Sequence, residues 1–532
     1  MKTIEWTKNG YSIDGKPIYL NSGEFHYFRV PRKDWRRRLE LFKQTGGNAV
    51  ATYIPWGLHE PTEGDIRFGD TDVRDLEAFL RLCRELELYV TARPGPYQYS
   101  ELRYDGLPGW LCDNYPELRA RDIDGKDFRN SSVSYMHPLF LEKARIWFQA
   151  VCPIIARHTL SRGGAVAYVQ FDNELMGIHE WYGSWDFHPE TMGFGKSDGR
   201  YPCFLKGKYG SVDAMNAVYG TDWQDFTESR PLAMKTGGTV EQRRRVKDYQ
   251  DFYFHCAAEY AQTLVDWFLE AGIDCDIVHN SANPYMNSYF LEIVESMKQK
   301  GVRFILGSDH YYNLSLDWDQ NNPTPKYATK VFTSNEMLRA MGFPPSVYEM
   351  PGGSCCVWPP FTPDDAYCAY MTNVALGMKG HNYYIFTGGP NPEGMGAFSD
   401  NYDYGASIGA DGEIRPLYET QKRFGLFMKE NNWLANAERL ADFNLALDWN
   451  HSRSGYYHSE ADESGFSNTN AWEFFRKGMM ISSLCASYNM NLLSLYDDAL
   501  LEQTDKPFWV ATSACMRADV QERLVNFVQR GG

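Results

Sequence analysis

The feature that most constrains the fold is the alternation of short apolar segments with longer amphipathic segments along most of the chain. Short apolar segments bounded by Gly, Pro and polar residues indicate strands, and apolar residues at a helical spacing indicate helices. Eight strands are predicted, at residues 17–23, 48–56, 88–96, 165–174, 275–281, 303–311, 346–353 and 381–389. Because eight strands that alternate with helices can close into a (β/α)8 (TIM) barrel, we predict an α/β protein with this fold.

Two further segments set the predicted domain organisation. Residues 175–245 are too long for one barrel connection and are rich in Trp, Tyr and Gly, which predicts an insertion over the barrel mouth. The alternation resets near residue 435, where new strand and helix patterns begin. We therefore predict a barrel domain over residues 1–435 and a smaller α/β domain over residues 436–532. The second domain is expected to be incomplete, because the chain ends where another strand would follow.

The charge balance and the cysteine pattern disfavour several classes of protein. The formal net charge is −16, from 69 acidic and 53 basic residues, which disfavours binding to nucleic-acid phosphates. The 11 Cys residues include no CxxC pair, which is typical of reduced thiols in a cytoplasmic protein. The first residues, MKTIEWTKNGYSIDGK, lack the apolar core of a signal peptide, and no window reaches the ~18 apolar residues of a membrane span. We expect a cytoplasmic protein with neither nucleic acid nor a membrane as its partner, and a signal removed upstream stays open.

Polar residues replace apolar ones where the fourth predicted strand ends, in the stretch VQFDNELMG at residues 169–177. In α/β barrels the reacting groups lie at the carboxyl ends of the strands. Glu174 ends the fourth strand and Glu349 lies at the end of the seventh, so the two carboxylates can face each other across the barrel mouth. Glycoside cleavage needs such a pair, with one carboxyl group to donate a proton and one carboxylate to attack the sugar. An Asn-Glu pair alone is a weak signal, because Asn335-Glu336 repeats it where a helix N-terminus is predicted.

Several longer stretches carry a family resemblance. SGEFHYFRVPRKDW, TYIPWGLHEPTEGDIRF, DLEAFLRLCRELELYVTARPGPY and GLPGWL resemble the N-terminal half of the family 35 glycoside hydrolases, the β-galactosidases. The resemblance is dense over about residues 10–112, returns at residues 169–177 and is patchy to about residue 425. It implies a barrel with a retaining double-displacement mechanism and with no cofactor or metal.

The resemblance also implies roles for individual residues. Glu174 corresponds to the acid/base, Glu349 to the nucleophile and Asn173 to a neighbour that contacts the sugar. The other residues expected at the substrate site, from the resemblance or from their position at strand ends, are His26, Tyr53, Tyr99, Glu101, Tyr311 and Tyr404.

The sequence departs from the family pattern at two places near the predicted site. The family has Ile-Cys-Ala-Glu after RPGPY, whereas this chain has Gln98-Tyr99-Ser100-Glu101. The family has aromatic residues after the nucleophile, whereas this chain has Met350-Pro351-Gly352-Gly353. The α/β segment after the barrel resembles the trimerisation-type domain of family 42 β-galactosidases, which allows a homo-oligomer.

These observations predict a retaining exo-β-glycosidase, specifically a β-galactosidase that acts on a β-linked galactoside or a related oligosaccharide. The alternative is an exo-β-D-glucosaminidase on the same scaffold, in which Asp replaces the Asn before the acid/base. Asn173 favours a hydroxyl group at sugar carbon C2, and Asp172 keeps the alternative open. Two other classes are weaker predictions: a non-catalytic carbohydrate-binding barrel, and a metal-dependent barrel, for which an HxH or HExxH ligand set is missing.

Overall fold

The structure, a computed structural model, describes residues 1–180, 185–234, 239–282, 290–312, 325–354, 360–453, 467–502, 505–514 and 516–532. Strands β1–β16 span Glu5–Thr7, Gly10–Ile13, Lys16–Ile18, Leu20–Glu24, Ala49–Tyr53, Tyr89–Arg93, Val166–Gln170, Asp276–Ser281, Phe304–Asp309, Ser346–Pro351, Gly380–Tyr384, Gly389–Pro390, Asn401–Tyr402, Phe443–Leu447, Met490–Ser494 and Phe508–Val510. Helices α1–α18 span Trp35–Gln44, Trp56–His59, Leu76–Glu85, Gly109–Asn114, Pro138–Arg157, Gly177–Glu180, Pro189–Met192, Arg200–Tyr209, Val212–Tyr219, Val240–Glu270, Phe290–Gln299, Pro325–Ala340, Pro363–Ala375, Pro416–Glu430, Trp449–Arg453, Asn468–Glu473, Ile481–Cys485 and Ala518–Gln529.

The eight predicted strands form a closed parallel barrel, so the predicted (β/α)8 fold is confirmed. The barrel runs in chain order from β4 to β11, and β11 closes it by pairing with β4. Strands such as β5 (AVATY) and β7 (VAYVQ) are buried at every position. Helices cover one face of each strand and the packed barrel interior covers the other, which explains why the strands are nearly continuous apolar runs.

The helices around the barrel follow their apolar spacing. Helix α3 buries Leu76, Phe79, Leu80 and Cys83, which lie on one face at helical intervals. Its N-cap is Asp75, whose carboxylate accepts a hydrogen bond of 3.0 Å from the Ala78 backbone N–H. This cap satisfies one of the free N–H groups at the helix start and fixes where α3 begins.

A small antiparallel sheet at the N-terminus was not anticipated. Strands β1, β2 and β3 pair in order outside the barrel. The predicted strand 17–23 joined the end of β3 to β4, because Pro17, Ile18, Tyr19 and Leu20 form one apolar run. Apolar periodicity cannot separate two consecutive strands that belong to different sheets.

The predicted insertion contains helices α6 to α9 and the start of α10, and residues 181–184 and 235–238 of it lie outside the described part. Its core is organised around Asp248, a fully buried carboxylate on α10. Asp248 accepts hydrogen bonds from Lys208 at 2.7 Å, from Tyr219 at 2.8 Å and from Tyr209. These contacts join α8 and α9 to the long helix α10.

After the barrel, strands β15, β14 and β16 form a parallel three-stranded sheet in that order, with helices α15 to α18 around it. This is the additional smaller α/β unit predicted from the sequence. The division into domains at residue 435 stays a prediction.

The second Asn-Glu pair of the sequence is structural. Asn335-Glu336 lies near the carboxyl end of α12 and not at a helix N-terminus, so that prediction is wrong. Glu336 pairs with Arg339 at 2.7 Å and with Arg439 at 3.5 Å, and it accepts a hydrogen bond from the Leu492 backbone N–H. Glu336 therefore joins helix α12 of the barrel to the sheet formed by β14, β15 and β16. Among the described helices, none is both long and apolar enough to cross a membrane.

Candidate active site

The carboxyl ends of the barrel strands bring the predicted catalytic pair together. Glu174 follows β7, and Glu349 lies in β10. One carboxylate oxygen from each lies within 4.8 Å of the other, and a third carboxylate, Asp309 at the end of β9, belongs to the same cluster. All three residues are buried. The two glutamates predicted from strand ends four and seven therefore share one small site.

Glu349 is surrounded by hydrogen-bond donors. Its Oε1 accepts from Arg93 Nη2 at 3.2 Å, from Asn280 Nδ2 at 3.3 Å and from the Tyr53 hydroxyl at 3.4 Å. Its Oε2 accepts from the Tyr311 hydroxyl. Burial and the neighbouring charge of Asp309 raise the pKa of Glu349 to about 8, while Arg93 and Tyr311 act in the opposite direction. Four donors aimed at one carboxylate favour its ionised form.

Arg93 is the cation of the site. It is buried at the end of β6, and its guanidinium contacts Glu24 at 3.0 Å, Glu349 at 3.2 Å and the side-chain oxygen of Asn173 at 2.6 Å. The guanidinium also stacks over the Tyr53 ring, 3.9 Å from its centroid. The pKa of Glu24 is lowered although its burial acts to raise it, because Arg93 and His26 stabilise its charge. Arg93 thus holds three polar side chains from three different strand ends in one arrangement.

Glu174 has an environment different from that of Glu349. Its pKa lies well above its usual range because the side chain is buried and faces the charges of Glu349 and Asp309. The opposing effect of Arg93 is smaller than these causes. Because four donors surround Glu349 whereas Glu174 faces two carboxylates, Glu349 ionises more readily than Glu174.

Asn280, on the fifth barrel strand, was missed by the sequence analysis. Its side-chain oxygen accepts from Gln170 at 2.9 Å and from the Glu174 backbone N–H at 3.3 Å. Its NH2 group donates to Asp309 at 2.9 Å and to Glu349 at 3.3 Å. The available signal was an Asn at the end of a buried strand, in the run CDIVHNS. One amide therefore connects all three carboxylate-bearing segments.

The orientation of Asn173 is determined by its neighbours. Arg93 Nη2 and Gln170 Nε2 both donate to its Oδ1, at 2.6 and 3.3 Å. Neither neighbour can accept a hydrogen bond through these groups, so the Asn173 oxygen must face them and its NH2 group points elsewhere.

Asp172 faces away from this cluster. Its two oxygens accept from the Asn173 backbone N–H at 2.7 Å and from the Tyr260 hydroxyl of α10 at 2.9 Å. Burial raises its pKa to about 7. The backbone φ angles of Asp172 and Glu174 are 49° and 42°, left-handed values that are strained for residues other than glycine. This backbone turns Asp172 toward α10 and Glu174 toward the barrel axis.

Glu101 and Tyr404 lie in a second polar group. The Glu101 carboxylate accepts from the Tyr384 hydroxyl at 3.1 Å and from the Tyr402 hydroxyl. Arg29 stacks over the Tyr402 ring at 3.8 Å, and the Tyr404 ring lies edge-on to Tyr384 at 5.3 Å between centroids. Tyr384 ends β11, so this group borders the strand end next to Glu349. Tyr384 and Tyr402 were not predicted, whereas the resemblance pointed to Glu101 and Tyr404.

His26 and Tyr99 are both buried. His26 Nδ1 lies 2.7 Å from Arg29 Nη1, and its Nε2 lies 3.5 Å from Glu24, so both ring nitrogens face protein groups. Burial lowers its pKa to about 4, which keeps the ring neutral. The Tyr99 ring centroid lies 6.1 Å from that of Tyr97, and burial together with the charges of Asp172 and Glu174 raises the pKa of Tyr99 well above its usual range. A sugar-contacting role for these two residues stays a prediction.

The three carboxylates also have the composition of a cation site, since carboxylate oxygens are good ligands for Mg²⁺ and Ca²⁺. Arg93 and the Asn280 NH2 group, however, already point positive charge at Glu349 and Asp309. Among the described residues, the cluster holds fixed donors where a metal site would hold further acceptors. The expectation that no metal is needed stays a prediction.

Comparisons with known proteins show which proteins the chain resembles. Residues 11–187 match the family described as "Glycosyl hydrolases family 35". The exo-beta-D-glucosaminidase of Pyrococcus horikoshii is 29% identical over 98% of this chain and 67% of its own length. The beta-1,2-glucosyltransferase of Ignavibacterium album is 28% identical over 98% of this chain and 74% of its own length. Human beta-galactosidase is 37% identical over 33% of this chain and 23% of its own length.

The fold is similar to that of solved β-galactosidases. The enzyme from the psychrophilic Marinomonas ef1 superposes with a TM-score of 0.71 at 15% identity, over 95% of this chain and 74% of that one. The barrel and the sequence matches define an enzyme, a glycoside hydrolase built on a (β/α)8 barrel. Because its relatives are enzymes, the alternative of a non-catalytic carbohydrate-binding barrel is set aside. Within this class, residues 11–187 resemble the family 35 glycoside hydrolases, and about a third of the chain is similar to human beta-galactosidase.

Proposed function

We propose that this chain is a retaining exo-β-glycosidase that releases terminal β-linked galactose by double displacement. Glu349 is the proposed nucleophile and Glu174 the proposed acid/base. The observation that carries the proposal is the separation of the two carboxylates, which have oxygens within 4.8 Å of each other. Retaining enzymes hold the two groups about 5–5.5 Å apart, whereas inverting enzymes need about 6.5–9.5 Å to admit a water molecule.

In the first step, ionised Glu349 bonds to the anomeric carbon while Glu174 gives its proton to the departing glycosidic oxygen. In the second step, Glu174 takes a proton from water, the water oxygen bonds to the anomeric carbon, and Glu349 is released. The donors around Glu349 and the burial of Glu174 favour the required charge states, one ionised and one protonated.

The orientation of Asn173 supports a sugar with a hydroxyl group at C2. Its oxygen is occupied by Arg93 and Gln170, so it can offer a sugar only its NH2 group. An NH2 group donates well to a hydroxyl oxygen, but it repels an ammonium group, which has no lone pair to accept. The carboxylate of Asp172 faces Tyr260 and so does not compensate.

A second candidate is an exo-β-D-glucosaminidase. It is favoured by the extent of similarity, because the relative with this name aligns over 98% of this chain, whereas human beta-galactosidase aligns over 33%. The two candidates share the fold and the carboxylate pair, so only the sugar decides between them.

The testing experiment is hydrolysis of p-nitrophenyl β-galactoside, β-glucosaminide, β-glucoside, β-fucoside and α-galactoside by the wild type, by Glu174→Gln and by Glu349→Gln. We expect the highest kcat/KM on the β-galactoside and loss of turnover in both variants. A preference for the β-glucosaminide would replace the first candidate by the second. Unchanged activity in either variant would contradict the proposed pair.

Azide rescue separates the two roles. With azide, Glu349→Gly should form the α-glycosyl azide from an activated substrate, because azide occupies the vacated nucleophile side. Glu174→Gly should form the β-glycosyl azide, because azide attacks the intact glycosyl-enzyme. Interchanged products would mean that the two roles are interchanged.

A further inference from the structure

Asp309 is a third buried carboxylate beside the proposed pair, and the two-step mechanism does not use it. It ends β9, where it lies directly opposite Glu349 in the parallel register of β9 and β10. Its side chain is 1% exposed, and one of its oxygens lies within 4.8 Å of oxygens of both Glu174 and Glu349. Three carboxylates so close together cannot all be ionised without a large electrostatic cost.

The two oxygens of Asp309 differ in their hydrogen bonds. Its Oδ2 accepts from Asn280 at 2.9 Å. Its Oδ1 is buried and accepts from no donor in the part of the chain that the structure describes. A buried oxygen of this kind is costly unless a donor reaches it. The neighbouring carboxyl group of Glu174 supplies that donor if it carries a proton.

We propose that Asp309 is a positioning residue whose Oδ1 accepts the hydrogen bond of the protonated Glu174 carboxyl group and so keeps the acid/base protonated until substrate arrives. This inference rests on the proposed function, in which Glu174 is the acid/base. Asn280 occupies the other oxygen of Asp309, which leaves Oδ1 to accept from the Glu174 carboxyl group in the same cluster.

The charges around the cluster agree with this distribution of protons. Asp309 acts to raise the pKa of both Glu174 and Glu349, while its own pKa is raised only to about 6. Arg93 and the buried Lys330 of α12 favour the ionised form of Asp309. In the described part of the chain, the titratable and charged groups that interact electrostatically with these carboxyl groups include Glu24, Tyr53, Arg93, Tyr99, Tyr311, Lys330 and Tyr384.

Asp309 also affects the second step. Once Glu174 has given its proton to the glycosidic oxygen, the ionised carboxylates of Glu174 and Asp309 lie side by side, because Glu349 is bonded to the sugar. The charge of Asp309 then makes Glu174 a stronger base, and the proton that Glu174 takes from water restores the hydrogen bond to Asp309. The reaction consumes only the glycoside and water, and both glutamates return to their starting protonation states.

The first test is the pH dependence of kcat/KM for Asp309→Asn. Its rising limb reports ionisation of Glu349, and its falling limb reports loss of the Glu174 proton. Removing the charge of Asp309 should lower both pKa values, so both limbs should move to lower pH by about one unit or more. If Asp309 only supports the fold, activity falls at every pH and both limbs stay in place, which would overturn the proposal.

A matched control is Asp248→Asn. Asp248 is also a fully buried aspartate, but its partners are Lys208, Tyr209 and Tyr219 in the insertion. This variant should lose stability and keep both limbs. Equal limb shifts in the two variants would contradict a specific role of Asp309, as would wild-type activity that is lost on chelation and restored by Mg²⁺ or Mn²⁺.

A second measurement needs no turnover. Infrared spectra of protein with ¹³C-labelled glutamate, recorded across pH, show the band of a protonated glutamate carboxyl group, and Glu174→Gln identifies the part due to Glu174. We expect the Glu174 part of this band at neutral pH in the wild type. In Asp309→Asn, this part should disappear at a lower pH than it does in the wild type. A wild type without the band refutes the inference whichever glycoside is cleaved, whereas a failed substrate panel with the band present refutes only the proposed function.

Discussion

The substitution Asn173→Asp is the most direct test of how this site recognises sugar carbon C2. Asn and Asp have the same shape, and Arg93 Nη2, 2.6 Å from the Asn173 oxygen, can pair with a carboxylate in the same place. The change therefore replaces only the NH2 group, the part of Asn173 that is not held by Arg93 or Gln170. A donor facing the sugar becomes a charged acceptor.

The expected size of the effect follows from this exchange of one contact. For an amino sugar, repulsion between two donors is replaced by a hydrogen bond to a charged group, worth about 1.5–3 kcal/mol. For a sugar with a hydroxyl group, a neutral hydrogen bond of about 0.5–1.5 kcal/mol is weakened, because the hydroxyl must now donate. Together these effects change the ratio of kcat/KM for the two sugars by about 2–4 kcal/mol, or roughly 30- to 700-fold.

The assay compares kcat/KM on p-nitrophenyl β-glucosaminide and β-galactoside for the wild type and Asn173→Asp. Each is measured at its own pH optimum, because the new carboxylate also affects the neighbouring glutamates. The control is Asp172→Asn, which removes a carboxylate one residue away that faces Tyr260. The control should leave the ratio unchanged. An unchanged ratio in Asn173→Asp, or an equal change in both variants, would refute the argument that the Asn173 NH2 group faces C2.

Two further predictions follow from the same cluster. Because the proposed mechanism needs ionised Glu349, whose pKa is raised to about 8, kcat/KM should rise with pH through about 8. The substitution Tyr311→Phe removes a hydrogen-bond donor to Glu349, so the rising limb of kcat/KM in this variant should move to higher pH. Because the pKa of Glu174 is raised in the folded state, the folded protein holds a proton there that the unfolded chain has already lost. The free energy of unfolding therefore falls as the pH rises above the pKa of the unfolded glutamate. Glu174→Gln should therefore raise the melting temperature, measured by calorimetry, more at pH 8 than at pH 5. The opposite order would contradict the raised pKa of Glu174, and a rising limb at lower pH in Tyr311→Phe would contradict the role of Tyr311 as a donor to Glu349.

Much of the fold could be predicted from residue patterns alone. Eight buried strands with helices between them predicted the barrel, because a parallel strand covered on both faces must be a short apolar run. Strand β3 was not separated from β4 because the end of β3 and the start of β4 form one apolar run, although the two strands belong to different sheets.

The sequence by itself determined which carboxylates lie at strand ends. Glu174 follows one apolar strand and Glu349 lies in the second half of another, and the carboxyl ends of all barrel strands meet at one mouth, so their proximity could be expected. That expectation needed only local patterns and the count of eight strands.

The tertiary structure decided how the other polar groups share that mouth. Asn280 and Asp309 join the glutamates because β8 and β9 lie between β7 and β10 in the closed barrel. Asp172 turns to Tyr260, although it is two residues from Glu174, because a left-handed backbone directs it toward α10. Side-chain direction and hydrogen-bond partners depend on residues more than a hundred positions away, as Arg93 and Glu349 show. The local periodicity of the sequence therefore cannot predict them.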